Sequence, residues 1–187
     1  MDATLSLDSR EDWRDWLKRN HDRAEEVWLK ISKKHTRTHG ISYEEGVEEA
    51  ICFGWIDGKM KSMDEETYML RFSPRRRGSL WSELNREKAV RMIKARRMTR
   101  AGMEKVDEAK KNGRWDSAYS SRKEPVPPDQ LNEALSKDTV ALRNFNELSN
   151  SKKMAYIHWI NEAKKDETRE RRIEETIRAM KARKSLI

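Results

Sequence analysis

The sequence predicts an α+β protein, with a small antiparallel sheet of about three strands packed by helices and an all-helical C-terminal segment. Alternating apolar and polar residues in 26–34 and 55–73 indicate strands. Capping residues followed by helical periodicity indicate helices around those strands. Beyond residue 131 every apolar set has helical spacing, and 187 residues are enough to bury one core.

A first helix is predicted after Ser9, which serves as N-cap with Asp12 at the third helical position. The next segment has strand periodicity, with Val27, Leu29 and Ile31 on one side and Trp28, Lys30 and Ser32 on the other.

A second helix is predicted from the capping box of Ser42 and Glu45, and it ends near Gly54. One face carries Tyr43, Val47, Ala50, Ile51 and Gly54, and Glu44, Glu45, Glu48 and Glu49 lie on the other sides. Cys52 falls among the glutamates, about 180° from Tyr43 on the helical wheel. Cys52 is therefore either partly exposed or covered by a second layer.

Residues 55–64 and 68–75 read as an antiparallel hairpin, which completes a sheet of three strands with residues 26–33. Two helices follow at about 82–95 and about 100–112, where Ser82 and Thr99 are suitable N-caps.

The stretch after residue 116 contains Pro125, Pro127 and Pro128, which favour extended chain. The predicted organisation is an α+β domain at 1–120, a linker at 121–130 and a helical segment at 131–187. The last helix keeps a narrow apolar stripe of Ile173, Ile177 and Met180 among alternating charges. Such a helix either docks by that stripe or binds a protein partner.

Composition limits the class of protein. The chain is 40% charged, but seven Trp and nine Met supply large core side chains, so we expect a folded domain. A single cysteine excludes a disulfide within the chain. Neither a signal sequence nor a run of 18 apolar residues is found, so no membrane span is expected and the cytoplasm is the predicted compartment.

Several motifs resemble those of a known family. They are the runs SYEEGVEEAICFGWIDGKM, RFSPRRRGSLWSELN and RRMTRAGMEKVDEAKKNGRW between Tyr43 and Trp115, and WINEAKKDETRERRIEETI near the C-terminus. The chain resembles the YdeI/OmpD-associated family, with an extra arginine and glycine in PRRRGSLWS. The resemblance implies a YjbR/CyaY-like fold and a stress or bacteriocin-protection role, and it implies no reaction or catalytic residue.

The hairpin and the loop after it hold the candidate ligand site. The set comprises Trp55, Asp57, Lys59, Arg71, Pro74, Arg75, Ser79, Trp81, Ser82 and Asn85. Arginine forks bind carboxylate or phosphate, a helix N-terminus offers free N–H groups, and tryptophan supplies a stacking wall. This pattern predicts a basic, Trp-lined pocket for an anionic small molecule. The structural alternative is that Asp57 pairs with an arginine, the tryptophans pack, and Ser82 and Asn85 cap the helix.

A second hypothesis is nucleic-acid binding, because residues 71–100 hold 11 basic and 2 acidic residues. The cations that would serve it are Arg75, Arg76, Arg77, Arg86, Arg91, Lys94, Arg96, Arg97 and Arg100. They surround the predicted helix, and no known reading motif accompanies them.

Chemical sites have weaker patterns. His35, His39 and Cys52 are metal-ligand types, but the histidines fall in a loop and no fourth ligand has suitable spacing. Cys52 as a nucleophile is disfavoured at a helix C-terminus, and Tyr43 with nearby glutamates is a further acid/base alternative. Common nucleotide, dinucleotide, zinc-protease and hydrolase motifs are missing, so no cofactor is predicted. The leading prediction is a non-catalytic binding protein, and an enzyme of unknown reaction is the third class.

Overall fold

We describe the protein from a computed structural model, which covers residues 4–35, 40–120, 124–184 and 186. The chain forms two compact units, Met1–Ala118 and Tyr119–Ile187. The predicted α+β class with a helical C-terminal segment is confirmed. The linker at 121–130 stays a prediction, and residues 121–123 lie outside the described residues.

The elements follow one another in a simple order. The first unit contains β1 (Thr4–Leu5), α1 (Arg10–Asn20), β2 (Val27–Ser32), α2 (Tyr43–Cys52), β3 (Trp55–Ser62), β4 (Thr67–Pro74), α3 (Glu83–Lys94) and α4 (Arg100–Lys111). The second contains α5 (Asp129–Ser136), α6 (Thr139–Asn146), α7 (Asn150–Asn161) and α8 (Asp166–Ala182).

The sheet has the strand order β1-β2-β4-β3, so the three predicted strands are joined by a fourth. The predicted strands pair antiparallel, whereas β1 pairs parallel with β2, with Leu5 opposite Leu29. The sheet is therefore mixed and not purely antiparallel. A strand of two residues is too short to show an alternating pattern, which is why the sequence did not reveal it.

Antiparallel register decides which side chains share a face of the sheet. Val27, Leu29 and Ile31 are fully buried in the core that α1 and α2 complete. Trp28 lies directly opposite Arg71 of β4, and both therefore project from the opposite side. We call this side the outer face of the sheet.

Aromatic side chains fill the core of the first unit. The Trp13 ring lies 5.3 Å from that of Phe72, and the Trp16 and Trp55 rings meet edge to face at 5.9 Å. The indole N–H of Trp13 donates to the Gly46 carbonyl oxygen at 3.0 Å. Trp13 thus packs with its polar atom satisfied, as buried tryptophan requires.

Glu49 of α2 is fully buried and holds several segments together. Its carboxylate accepts from Arg10 Nε at 2.6 Å, from Arg14 Nη1 at 2.5 Å and from Arg97 Nη2 at 2.8 Å. Burial alone would raise the pKa of Glu49, but hydrogen bonds from the three arginines outweigh burial and lower the pKa. One carboxylate therefore joins α1, α2 and the turn between α3 and α4.

The second unit has its own helical core, which includes Leu131, Phe145, Tyr156 and Ile160. The predicted stripe of α8 packs there, because Ile173 and Met180 are buried and Ile177 is partly buried. The helix therefore docks by its stripe. Binding of a protein partner through the rest of its surface stays a prediction.

We expect Glu49→Gln to lower the free energy of unfolding by about 3 kcal/mol, because a buried carboxylate paired with three cations is lost. The lowered pKa of Glu49 adds stability that is present above its unfolded-state pKa and is lost as pH falls through its folded-state pKa. The acid side of the stability profile should therefore be flatter in the variant. Urea unfolding at several pH values measures both effects.

The matched control is Glu104→Gln, since Glu104 forms an exposed pair with Arg100 at 3.0 Å. We expect it to change stability by less than about 1 kcal/mol. Equal destabilisation by the two substitutions would contradict the role given to Glu49.

Candidate functional site

The structure separates the predicted ligand-binding residues into different surroundings. Trp55 is buried and donates its indole N–H to the His21 carbonyl oxygen at 3.0 Å. Lys59 is exposed in the irregular stretch of β3 that follows Asp57. The ring of Trp55 is thus a core element and not an open wall.

Asp57 accepts a hydrogen bond from the Tyr43 hydroxyl at 3.0 Å, so its partner is a tyrosine and not the arginine expected from the sequence. Tyr43 is also more exposed than its place on the apolar face of α2 indicated. The acid/base alternative paired Tyr43 with nearby glutamates, and the structure pairs it with Asp57 instead.

A second group surrounds the start of α3. Arg75 is buried, with its guanidinium 3.9 Å from the centre of the Trp81 ring, and it donates to the Leu80 carbonyl oxygen at 2.9 Å. Ser82 Oγ accepts from the Asn85 backbone N–H, which forms the expected N-cap. Ser79 lies in the turn before it and donates its backbone N–H to the Arg76 carbonyl oxygen. Capping and packing thus account for these contacts.

Arg71 belongs to a third group on the outer face, together with Trp28. The indole Nε1 of Trp28 and the Nε of Arg71 are both buried, and neither has a hydrogen-bond partner within the described part of the chain. The two residues are direct cross-strand neighbours. Two buried donors without acceptors at one place are unusual in a folded protein.

Two lysines lie on the same face of the sheet as these two donors. Lys61 Nζ lies 4.0 Å from the centre of the Trp28 ring, and Lys30 and Lys61 lie opposite Met69 from the two sides of β4. Arg71 Nη1 pairs with Glu26 at 2.9 Å, so part of the positive charge is already balanced.

Gly58 keeps space beside the Arg71 guanidinium. A Cβ atom at Gly58 would lie only 3.3 Å from Arg71 Nε and 3.4 Å from Nη2. A larger residue would thus crowd the unpartnered donor. The sequence drew attention to Arg71 but missed Trp28, although strand alternation already placed Trp28 on the side of β2 away from the core.

A cavity of about 370 Å³ lies beside α3, lined by Arg86, Arg91, Lys94 and Trp115 among others. Its arginines are already engaged. Arg86 donates to the Trp115 carbonyl oxygen at 3.1 Å, and Arg91 donates to Glu44 and Glu48. In this basic, Trp-lined cavity the arginines already have hydrogen-bond acceptors, whereas Trp28 Nε1 and Arg71 Nε of the outer face have none among the described residues.

Several of the cations predicted to bind nucleic acid are buried or paired. Of the nine cations expected to serve it, Arg75 is buried, Arg97 binds Glu49 and Arg100 pairs with Glu104. Arg76, Arg77, Lys94 and Arg96 are exposed, and Arg77 among them lies 3.7 Å from Glu108. Nucleic-acid binding stays a prediction that rests on this smaller set.

Cys52 is fully buried under a second layer that includes α4, where Gly102 meets the Cys52 carbonyl. Burial, with a contribution from the Glu49 carboxylate, raises the pKa of Cys52 to about 11. His35 lies 3.1 Å from the Glu65 carbonyl oxygen, and His39 lies outside the described residues. Among the residues that are described, no three His, Cys, Asp or Glu side chains are placed to hold a metal ion.

Comparison with known families gives two matches. Residues 5–105 match a domain of unknown function, DUF8412, and residues 124–183 match the family described as Bacteriocin-protection, YdeI or OmpD-Associated. The second match confirms the resemblance predicted from the sequence, and most of the motifs between Tyr43 and Trp115 lie in the first. No curated protein or solved structure matches significantly, so the YjbR/CyaY-like fold stays a prediction. The described helices include none long and apolar enough to cross a membrane.

We expect Cys52 to resist thiol reagents in the folded protein. With a pKa of about 11, about one thiol in a thousand is ionised at pH 8, and burial blocks access as well. Ellman's reagent at pH 8 should release no colour from native protein and one equivalent after unfolding in guanidinium. Rapid reaction in the native state would contradict this description and reopen the nucleophile hypothesis.

Proposed function

The chain belongs to the family of the domain of unknown function DUF8412 and carries a YdeI or OmpD-associated domain, and from this premise we propose that it is a non-catalytic binding protein for a small anionic ligand. The ligand's anionic oxygen binds on the outer face, between Trp28 and Arg71. The observation that carries the proposal is the pair of buried N–H donors that find no acceptor among the described residues.

An oxyanion satisfies these donors better than water or a neutral group. Leaving a buried donor unpaired costs about 1–3 kcal/mol, whereas a hydrogen bond to a charged oxygen contributes about 1.5–3 kcal/mol. A carboxylate or phosphate has enough lone pairs to accept from Trp28 Nε1 and Arg71 Nε together. Lys61, above the Trp28 ring, supplies the opposing charge.

The chemistry of these groups favours binding over catalysis. Indole, guanidinium and ammonium groups donate hydrogen bonds and carry charge, but they do not abstract protons at neutral pH. Glycine at position 58 keeps a side chain away from the proposed site, because a Cβ there would lie 3.3 Å from Arg71 Nε.

The proposal includes a cytoplasmic location and a role in stress or bacteriocin resistance. The role is supported by the description of the family that residues 124–183 match.

Trp28→Phe is the sharpest test, because it should change stability and binding in opposite directions. Removing a buried unpaired donor should raise the free energy of unfolding of the ligand-free protein by about 1 kcal/mol. The same substitution should weaken binding of the best oxyanion at least about tenfold, since one charge-assisted hydrogen bond is lost. A thermal-shift screen of phosphate, citrate, nucleotides and acidic metabolites, followed by calorimetry, measures both quantities.

Arg71→Lys keeps the charge but removes the Nε donor, so it should also weaken binding. Arg76→Ala is the control, because Arg76 is an exposed cation of the same basic region away from the outer face. Stabilisation of wild type by none of the compounds, or equal loss of binding in Arg76→Ala, would refute the proposal.

A further inference from the structure

The C-terminal unit contains a cavity that no part of the proposed function uses. It has a volume of about 260 Å³ and is lined by residues of α6, α7 and α8 and of the segment after α8. Pockets for drug-sized molecules occupy about 300–1,000 Å³, so this cavity suits a smaller ligand.

Asn144 lines the cavity, and its side-chain oxygen is buried without a partner among the described residues. The residue is 93% buried, and Nδ2 donates to the Met180 carbonyl oxygen at 2.8 Å. A carbonyl oxygen only accepts, so the amide orientation is fixed and Oδ1 is the atom left without a partner among the described residues. The missing group must therefore be a hydrogen-bond donor.

The surroundings of Asn144 favour a positively charged donor. The cavity lies at the C-terminal end of α8, where Met180 contributes a carbonyl of the last turn and the helix dipole is negative. The Glu147 carboxylate lines the same cavity. An ammonium group would gain from both charges.

Positive charge also lines the cavity. Lys152, Arg183 and Lys184 contribute exposed side chains, and Arg183 lies 3.7 Å from Glu147. Tyr156 and Met180 supply buried apolar surface beside these charged groups. A ligand that fits carries a cationic group and an anionic group close together, with an apolar part beside them.

We propose that this cavity binds a free amino acid with an apolar side chain. The ammonium group donates to Asn144 Oδ1 near the end of α8, and the carboxylate faces Lys152 and Arg183. The side chain packs against Tyr156 and Met180. This site lies within the YdeI or OmpD-associated domain and is independent of the anion site on the outer face.

Calorimetry of the full-length protein with L-leucine tests the proposal, using two analogues that each lack one charge. Leucinamide lacks the carboxylate, and 4-methylpentanoate lacks the ammonium group. Each should bind at least about tenfold more weakly than leucine, the factor for losing one charge-assisted hydrogen bond. Methyl NMR should show the Met180 signal shifting on addition of leucine.

Variants of the exposed cations that line the cavity separate loss of binding from loss of folding. Arg183 has a positive φ of 50°, so Arg183→Gly removes the cation without backbone strain. Combined with Lys152→Ala and Lys184→Ala it removes all three lining cations and should bring the affinities for leucine and leucinamide together. Arg178→Ala, an exposed position of α8 outside the cavity, should bind like wild type.

Three results would overturn the proposal: no binding of leucine, equal affinity of wild type for all three compounds, or binding that leaves the Met180 signal unchanged. None of them would affect the outer face, whose test uses other residues and other ligands.

Discussion

The buried carboxylate of Glu49 is the interaction on which the arrangement of the first unit depends. One side of α2 packs on the sheet, and the other side, which carries Glu48 and Glu49, is covered by α1 and α3. A helix buried on both sides tolerates charge only when cations from neighbouring elements neutralise it. Arg10, Arg14 and Arg97 meet that requirement from sequence positions 35 to 48 residues away. Close packing follows, and Thr99 Oγ1 donates to the Cys52 carbonyl oxygen at 2.6 Å.

Buried polar groups that have hydrogen-bond partners stabilise the fold, whereas those without partners are candidates for binding a ligand. Around Glu49 three cations share one acceptor, and nothing is left for a ligand. Within the described part of the chain, Trp28 and Arg71 of the outer face keep buried donors without acceptors, and Asn144 of the second unit keeps a buried acceptor without a donor. An unpaired group of this kind costs free energy in the ligand-free fold, and a complementary ligand would recover that cost. Both proposals therefore take their place and their required chemistry from an unpaired group.

Local signals in the sequence were sufficient for most of the fold. The capping box of Ser42 and the N-caps at Ser9, Ser82 and Thr99 formed as predicted, because capping depends on residues three positions apart. The burial of Glu49 could not be predicted, since helical periodicity placed it on the charged side and its partners are remote in sequence. Trp55 was interpreted as a pocket wall because a tryptophan that packs and one that binds have the same pattern. Arg71 was identified, but its neighbour Trp28 emerged only from the strand register.

The two proposed sites have opposite hydrogen-bonding requirements. The outer face offers donors and cations, and the proposal there is an oxyanion. Asn144 of the helical cavity offers an acceptor, and the proposal there is a donor. One small group such as a lone carboxylate satisfies the first site but not Asn144 in the second. Two separate family matches divide the chain in the same way, at residues 5–105 and 124–183. The two proposed sites therefore lie in different matched segments, and each is tested with its own ligand.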